Sequence, residues 1–297
     1  MEDKKLRILI LGASGMAGHT ITLYFYKKRY DVTMCTQNPF NYYGIKNIVL
    51  DAFDKSKLEE VVVNGKYDAI INCIGILNDL ANNNPDKAIY LNSYIPHLLE
   101  SLTKNTNTKV IQMSTDCVFS GKKGLYYEND FKDGETFYDR TKALGEIDNN
   151  KDLTFRNSII GPDINKNGIG LFNWFMKQNG PINGYTNAMW TGVTTLTLAK
   201  AMEKGIQENL TGIYNLVNNT SISKYDLLKL FNKYFKNNSI EIKPYENFKV
   251  DKSLRCGRND FSFVVPTYEQ MVKEMYEWVV SNNELYPDYI INGDTNE

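Results

Sequence analysis

The stretch "LRILILGASGMAGHT", residues 6–20, constrains the fold more than any other part of the sequence. An apolar run ends in Gly12, and Gly15 and Gly18 follow at the start of a helical pattern. A buried strand that turns sharply into a closely packed helix needs glycine at such positions. The stretch therefore predicts a first strand–helix unit. The free N–H groups and the dipole at the start of its helix favour an anion.

The first half of the chain repeats this alternation. Apolar runs at 31–36, 47–50, 68–75 and 109–114 predict further strands, and the segments 16–29, 54–64 and 84–105 predict helices. A helix at 138–150 and a strand at 153–160 continue the series. Near-continuous apolar strands separated by helices are typical of a parallel sheet that is covered on both faces. The sequence predicts an α/β fold with a Rossmann-like, doubly wound parallel sheet, which binds ligand at the carboxyl ends of its strands.

The pattern becomes looser after residue 160. A short helix is expected at 171–178, an aromatic and polar loop at 184–192, a strand at 212–218 and a helix at 223–235. We predict a dinucleotide-binding domain over 1–160, its sheet completed by part of 191–219. Residues 161–190 and 220–297 are expected to form a smaller, interwoven C-terminal lobe that holds the substrate.

Composition excludes several classes of protein. With 34 basic and 35 acidic residues among 297, the formal net charge is −1, which argues against a nucleic-acid partner. No apolar run reaches the length of a membrane span, and the N-terminal residues lack the layout of a signal peptide. The four cysteines lie far apart without a CxxC pair, so we expect no disulfide framework, no metal site and a cytoplasmic location.

The glycine turn predicts a dinucleotide site. In the GxxGxxG spacing, the first glycine permits the tight turn and the second lets a pyrophosphate approach the backbone. The third allows the helix to pack closely on the strand. Ser14 and Met16 lie within the same turn. His19 is expected to pack behind it.

The end of the second predicted strand bears on the choice of cofactor. Thr36 and Gln37 are uncharged at the place where NAD-preferring sites carry an acidic residue. A 2′-phosphate would meet no repulsion there, so we expect NADPH, with NADH as the alternative because no arginine is present. Asp51, after the third strand, is a candidate for the adenine edge or for a helix N-cap.

Tyr138 and Lys142 form a Y-x-x-x-K pair that lies one turn apart on a predicted helix. A nearby ammonium group lowers the pKa of a phenol, which would let the tyrosine act as a general acid/base. The same spacing occurs at four other tyrosines: Tyr24, Tyr42, Tyr225 and Tyr245. Only Tyr138 follows a strand that ends in "STD", so this context favours Tyr138.

The glycine turn, "STDCVFSG" and "YDRTKALGE" together resemble the extended short-chain dehydrogenase/reductase family, in particular its dTDP-4-dehydrorhamnose reductase branch. The resemblance implies that Thr115, with Ser114 beside it, hydrogen-bonds the substrate carbonyl. Tyr138 would protonate the oxygen, and Lys142 would bind the nicotinamide ribose. "NCIG", which contains Cys73 and Gly75, would line the cofactor. The later lobe would hold a nucleotide-sugar.

Cys117 departs from the simple reductases, which usually carry tyrosine at this position. Cysteine resembles the bifunctional 3,5-epimerase/4-reductases, and "TNAMW" and "NLTGIYNLVN" look like those that make UDP-L-rhamnose. A 4-ketone acidifies the hydrogens at C3 and C5, and a thiol that a nearby cation helps to ionise can move such protons. Lys177 is the candidate partner, with a solvated surface lysine as the alternative. For Cys117 the alternative is a packed core thiol.

Four residues of the later lobe are candidates for substrate binding. Asn187 and Trp190 lie in the "TNAMW" stretch, where Trp190 would shape the sugar pocket or belong to the core. Arg255 and Arg258 would grip the diphosphate, or form a surface pair.

The leading hypothesis is an NADPH-dependent enzyme that converts UDP-4-keto-6-deoxy-D-glucose to UDP-L-rhamnose. The alternatives are a dTDP-4-dehydrorhamnose reductase without epimerase activity and a non-catalytic, dinucleotide-binding regulatory subunit. A UDP-sugar is expected rather than a dTDP-sugar. The resemblance also suggests a homodimer, although no heptad pattern identifies its surface.

Overall fold

The computed structural model describes residues 5–289 of the chain. Its central element is a parallel sheet of seven strands in the order β10-β6-β5-β4-β1-β2-β3. These strands are β1 Arg7–Leu11, β2 Asp31–Thr36, β3 Lys46–Val49, β4 Ala69–Asn72, β5 Lys109–Ser114, β6 Leu153–Arg156 and β10 Gly212–Asn215. The predicted α/β fold with a doubly wound parallel sheet is confirmed.

The helices cover both faces of this sheet. They are α1 Met16–Lys27, α2 Lys55–Gly65, α3 Asn78–Asn83, α4 Pro85–Ala88, α5 Ile95–Thr103, α6 Phe137–Leu144, α7 Gly170–Met176, α8 Thr195–Gln207, α9 Lys224–Phe235 and α10 Tyr268–Val280. A π-helical turn, Ile89–Tyr94, joins α4 to α5, which matches the long helix predicted over 84–105. No helix within residues 5–289 is long and apolar enough to span a bilayer.

Strand β1 shows why the sheet is buried on both sides. Ile8 and Ile10 belong to one core cluster, while Leu9 and Leu11 belong to another, and all four are inaccessible to solvent. Successive side chains of a strand point to opposite faces, so an unbroken apolar run fills both cores. Burial of each such side chain contributes about 1.5–3 kcal/mol to folding.

A second sheet lies in the later part of the chain. It contains β8 Ile182–Trp190, flanked by β11 Ile222–Ser223 and β12 Ile242–Asp251. The loop predicted at 184–192 is therefore wrong. The hydrogen bonds of β8 come from β12, about sixty residues further along the chain, and a local pattern does not reveal them. The domain division at residue 160 stays a prediction.

Two other element boundaries differ from expectation. The strand predicted over 153–160 is split: β6 stays in the large sheet, whereas β7 Ile159–Ile160 pairs with β9 Val193–Thr194. Helix α6 ends at Leu144, because Gly145 caps it and the chain then turns toward β6. A capping box between Thr136 and Asp139 fixes its start, so the helix is only two turns long.

Candidate active site

The glycine turn has the geometry that its spacing predicts. Gly12 has a φ of +74°, and a Cβ there would lie 3.0 Å from the backbone of Cys73. A Cβ on Gly18 would lie 2.1 Å from the carbonyl oxygen of Gly12. Gly15 is the N-cap of α1 and offers no side-chain cap, so the first N–H groups of the helix stay open to an anion.

A segment from later in the chain lies against this turn. Asn165 donates through Nδ2 to the carbonyl oxygen of Ser14 at 3.1 Å, and Asn173 Nδ2 lies 3.8 Å from the sulfur of Met16. The predicted turn residues Ser14 and Met16 are thus held by side chains from across the site. Sequence patterns did not indicate either asparagine.

The candidate adenosine residues lie at the ends of β2 and β3. Thr36 is buried and donates to Asn38 and Asn47, whereas Gln37 is exposed. Asp51 is exposed and its carboxylate accepts a bond from the Phe53 N–H at 3.0 Å. The N-cap of α2 is Asp54, so the capping role considered for Asp51 is wrong.

The loop after β4 carries two further candidates. Burial raises the pKa of the Cys73 thiol to about 12, so this side chain is uncharged at neutral pH. A Cβ on Gly75 would lie 3.0 Å from Oδ1 of Asn92. Asn92 bonds both the N–H and the carbonyl of Ile76, which fixes the loop. Both candidates therefore lie on a loop of defined shape.

Thr115, Cys117 and Tyr138 come together at the carboxyl end of β5. Tyr138 is 6% exposed and shares a small core cluster with Cys117. Burial raises the pKa of Tyr138, and so does Cys117, while the Thr115 hydroxyl lowers it. The expected lowering by an ammonium group is wrong here, because burial disfavours the phenolate and Lys142 is not among the groups that shift this pKa. A protonated phenol at neutral pH suits a proton donor.

Lys142 lies one turn from Tyr138 and is itself buried. Its ammonium group donates to the carbonyl oxygen of Met113 at 2.7 Å. Burial lowers its pKa to about 8, opposed by the charge of Glu146. The lysine is therefore fixed beside the end of β5 and is largely charged below that pH.

A buried ion pair that the sequence analysis missed lies beneath this lysine. Arg156 binds Glu146 through two hydrogen bonds of 2.8 and 2.7 Å, and neither side chain of the pair has exposed atoms. Ser114 donates to the same carboxylate at 2.6 Å, so its hydroxyl is used here instead of facing a substrate. An arginine inside an otherwise buried strand was the available signal for such a pair.

The surroundings of Cys117 differ from expectation. Burial raises its pKa to about 12, and the charge of Asp116 raises it further, so the thiol is not ionised by a nearby cation. The cation that opposes this shift is Lys252. Lys177 is exposed at the end of α7 and is not among the charges that act on Cys117. The structure thus brings Lys252, not the predicted Lys177, toward the thiol.

The candidate substrate residues have different surroundings, although Trp190 and Arg255 both lie near Tyr268. Asn187 donates to the carbonyl of Glu246 on the neighbouring strand. Trp190 is buried 5.7 Å from the ring of Tyr268, which supports the core alternative. Neither side chain forms a contact that marks it as part of a sugar pocket.

The two arginines have different surroundings. The Arg258 guanidinium donates to Asp260 and to the carbonyls of Thr211 and Ile213, so it holds the chain beside β10 instead of forming a diphosphate clamp. Arg255 is half-buried and bonds through its backbone to Tyr126. The predicted pair of arginines does not act as one unit.

Within residues 5–289, no group of three or more His, Cys, Asp or Glu side chains could hold a metal ion. Fold and site together define a Rossmann-like α/β protein of the short-chain reductase type, with a glycine turn at β1 and a Thr–Tyr–Lys set after β5. The family model described as RmlD substrate binding domain matches residues 6–277. The chain belongs to this family.

Curated relatives support the assignment over part of the chain. A dTDP-4-dehydrorhamnose reductase of Streptomyces griseus is 29% identical over 142 residues, which is 47% of this chain and 43% of the relative. A methionine adenosyltransferase 2 subunit beta of Danio rerio is 27% identical over 142 residues, 47% of this chain and 42% of the relative. These matches span less than half the length of each relative.

A solved structure resembles nearly the whole fold. It is a dTDP-4-dehydrorhamnose reductase from Bacillus anthracis in complex with NADP, with a TM-score of 0.77 and 20% identity. The alignment covers 92% of this chain and 99% of that one. At this identity the likeness shows the fold alone.

Proposed function

We propose that this protein is an NADPH-dependent reductase of a 4-keto-6-deoxy nucleotide-sugar. The observation that carries the proposal is Tyr138, a buried and protonated phenol beside Thr115 with Lys142 one turn away. A ketone needs one hydride at carbon and one proton at oxygen. Tyr138 is the proton donor that this site offers.

The residues of the glycine turn fit a dinucleotide. Side chains at Gly12 and Gly18 would collide with backbone, and the uncapped start of α1 presents N–H groups to a pyrophosphate. When bound, NADPH would supply the hydride for the ketone carbon. The uncharged end of β2, at Thr36 and Gln37, favours NADPH, with NADH as the alternative.

The chain's own groups divide the work of proton transfer. Thr115, whose hydroxyl now donates to Asp116 at 3.1 Å, would turn to the substrate oxygen. Tyr138 gives its proton to that oxygen, which completes the alcohol. Lys142, one turn from Tyr138, would hydrogen-bond the ribose of the cofactor.

Epimerisation at C3 and C5 of a UDP-linked sugar is the second candidate function. It is favoured by a thiol at position 117, packed next to Tyr138 where the simple reductases carry tyrosine. Because its pKa is raised to about 12, Cys117 would return a proton instead of removing one. A separate base is then needed, and Lys252, in its uncharged form, is a better candidate than Lys177 because it lies within electrostatic range of both Cys117 and Asp116.

One experiment separates these functions. Purified protein is incubated with NADPH and UDP-4-keto-6-deoxyglucose, or its dTDP counterpart, in deuterium oxide, and the product is analysed by NMR. Reduction at C4 without deuterium at C3 and C5 establishes a reductase. Deuterium at both carbons with inverted configuration, the inversion being lost in Cys117→Ala, establishes the epimerase. Absence of NADPH oxidation with either sugar, with or without a separate epimerase, contradicts the proposal and favours a regulatory subunit.

A further inference from the structure

A hydrogen-bonded chain connects the C-terminal part of the protein to the glycine turn. His19 is fully buried in the first turns of α1; its Nδ1 lies 3.0 Å from the Gly15 carbonyl oxygen and its Nε2 lies 3.0 Å from the Tyr286 hydroxyl. Trp278 Nε1 donates to the same hydroxyl at 3.2 Å. The histidine thus links residue 286 to the N-cap of α1.

The direction of this chain follows from its donors. The Gly15 carbonyl oxygen can only accept, so Nδ1 of His19 carries the proton and donates to it. In the neutral ring Nε2 then accepts, from the Tyr286 hydroxyl at 3.0 Å and from the Thr20 hydroxyl at 3.3 Å, while Tyr286 accepts from Trp278. Burial lowers the pKa of His19 to about 4, which keeps the ring neutral at physiological pH and preserves this arrangement.

Tyr289, in the same C-terminal segment, forms a second set of contacts near the glycine turn. The Tyr289 hydroxyl accepts a bond from the Asp163 N–H at 2.7 Å and donates to Asn173. Its ring stacks on Tyr286 at 5.5 Å with an interplanar angle of 8°. The Asn173 amide nitrogen lies 3.8 Å from the sulfur of Met16 in the glycine turn. The C-terminal segment is therefore connected to the glycine turn in two ways, through Tyr286 and His19 and through Tyr289 and Asn173.

We propose that Tyr286 and His19 are positioning residues for the cofactor. By fixing the Gly15 carbonyl, they set the orientation of the first N–H groups of α1 toward the pyrophosphate. We call Trp278, Tyr286 and Tyr289 the C-terminal clasp. The proposal rests on the proposed use of NADPH, and it concerns cofactor affinity instead of the chemical step.

Tyr286→Phe tests the clasp, because it removes one hydroxyl and keeps the ring that packs on His19 and Tyr289. The full chain is titrated with NADPH, without any sugar, and the fluorescence of the bound nucleotide gives Kd. We expect Kd to rise about three- to tenfold, the effect of one net hydrogen bond. Tyr43→Phe is the matched control: its hydroxyl donates to Glu284 in the same segment but does not contact His19, and Kd should stay within about twofold.

Two substitutions at His19 sharpen the test. In His19→Asn, the amide nitrogen stands near the Nδ1 position and retains the bond to Gly15, whereas His19→Gln places its polar group toward Tyr286. We expect His19→Gln to weaken NADPH binding more than His19→Asn does. Melting temperatures are measured on all variants, and titrations are made well below them.

Three outcomes are distinguishable. Weaker binding in Tyr286→Phe but not in Tyr43→Phe supports the proposal. A lowered melting temperature with an unchanged Kd in Tyr286→Phe overturns it and leaves the clasp a packing element. Wild-type protein that binds neither NADPH nor NADH overturns the proposed cofactor, and with it the positioning role.

Discussion

The two sheets of this protein are stabilised in different ways. Strands β4 and β6 of the seven-stranded sheet are buried at every position, and their register is fixed by cores on both faces. In β12 of the three-stranded sheet, seven of the ten residues are exposed. The large sheet thus holds its site residues rigidly, whereas the small sheet tolerates change. Substitutions should therefore affect stability and chemistry in the first and much less in the second.

The largest contrast is expected between two tyrosines of the same Y-x-x-x-K spacing. Tyr138→Phe removes the buried proton donor, so kcat should fall about 10²- to 10⁴-fold while NADPH affinity changes little. Tyr245→Phe, on the exposed strand β12, should leave kcat within about twofold. Steady-state kinetics with the keto-sugar measures both. A Tyr138→Phe enzyme with more than a tenth of wild-type activity would exclude Tyr138 as the donor.

Two ion pairs provide the next contrast. Arg156→Met leaves the buried Glu146 carboxylate with Lys132 and Ser114 as its remaining partners and should lower the free energy of unfolding by about 1.5–3 kcal/mol. Lys243→Met breaks an exposed pair with Glu241 at 3.7 Å and should cost less than about 1 kcal/mol. Urea denaturation gives both values. Equal losses of unfolding free energy in the two variants would show that the buried ion pair does not stabilise the protein more than the exposed pair.

Two glycines extend the comparison to backbone packing. Gly18→Ala places a Cβ 2.1 Å from the Gly12 carbonyl oxygen, which should cost about 1–3 kcal/mol of stability and weaken NADPH binding. Gly180→Ala, just before β8, meets no atom within 4 Å and should change stability by less than about 0.5 kcal/mol. Thermal melts measure the stability of both variants, and NADPH titrations measure their affinity for the nucleotide. Tolerance of alanine at position 18 would contradict the close packing of α1 on β1.

A pH dependence is expected from the buried Lys142. Its pKa of about 8 implies that the charged form is lost as the pH rises above 8, so kcat/KM should fall about tenfold per unit beyond that value. Glu146→Gln removes a charge that raises this pKa, and should move the fall to lower pH. Lys142→Arg should abolish this fall of kcat/KM at high pH. A profile that is the same in wild type and in Lys142→Arg would exclude this lysine as its origin.

Lys142 also makes the stability of the protein depend on pH, in the direction opposite to its effect on activity. Its pKa in the folded chain is lower than that of lysine in an unfolded chain, about 10.4. Between these two values the unfolded state binds more protons, so this group favours folding more strongly as the pH rises from about 8 to about 10. Activity and this contribution to stability should therefore change in opposite directions over that range.

The sequence predicted the large sheet well because its signals are local. The run around Ile8 to Leu11 is apolar over its length, and the glycines after it permit few alternatives to a tight turn. The small sheet could not be predicted in the same way. β8 contains Gly184 and Asn187, which are typical of turns, and it becomes a strand because β11 and β12 pair with it from later in the chain.

The residues of the candidate site also differ in whether local sequence signals could predict them. Tyr138 and Lys142 were predicted from strand-end and helix spacing and Thr115 from the family resemblance, and the structure brings Thr115 and Tyr138 together. Lys252, whose charge acts on Cys117, and Glu146, whose charge acts on Lys142, were missed because these tertiary contacts are not encoded in any local spacing. Lys177 was inferred across a loosely matched gap, and the structure places it exposed at the end of α7.

The bond between His19 and Tyr286 joins residues 267 positions apart in the chain. On the ribosome, at about 5–20 residues per second, roughly 13 to 53 s pass between the synthesis of the first and of the second. The glycine turn therefore emerges long before its distant support is made. A nascent chain can form the first strand and helix early, yet the turn has its final hydrogen bonding only after translation has passed residue 286.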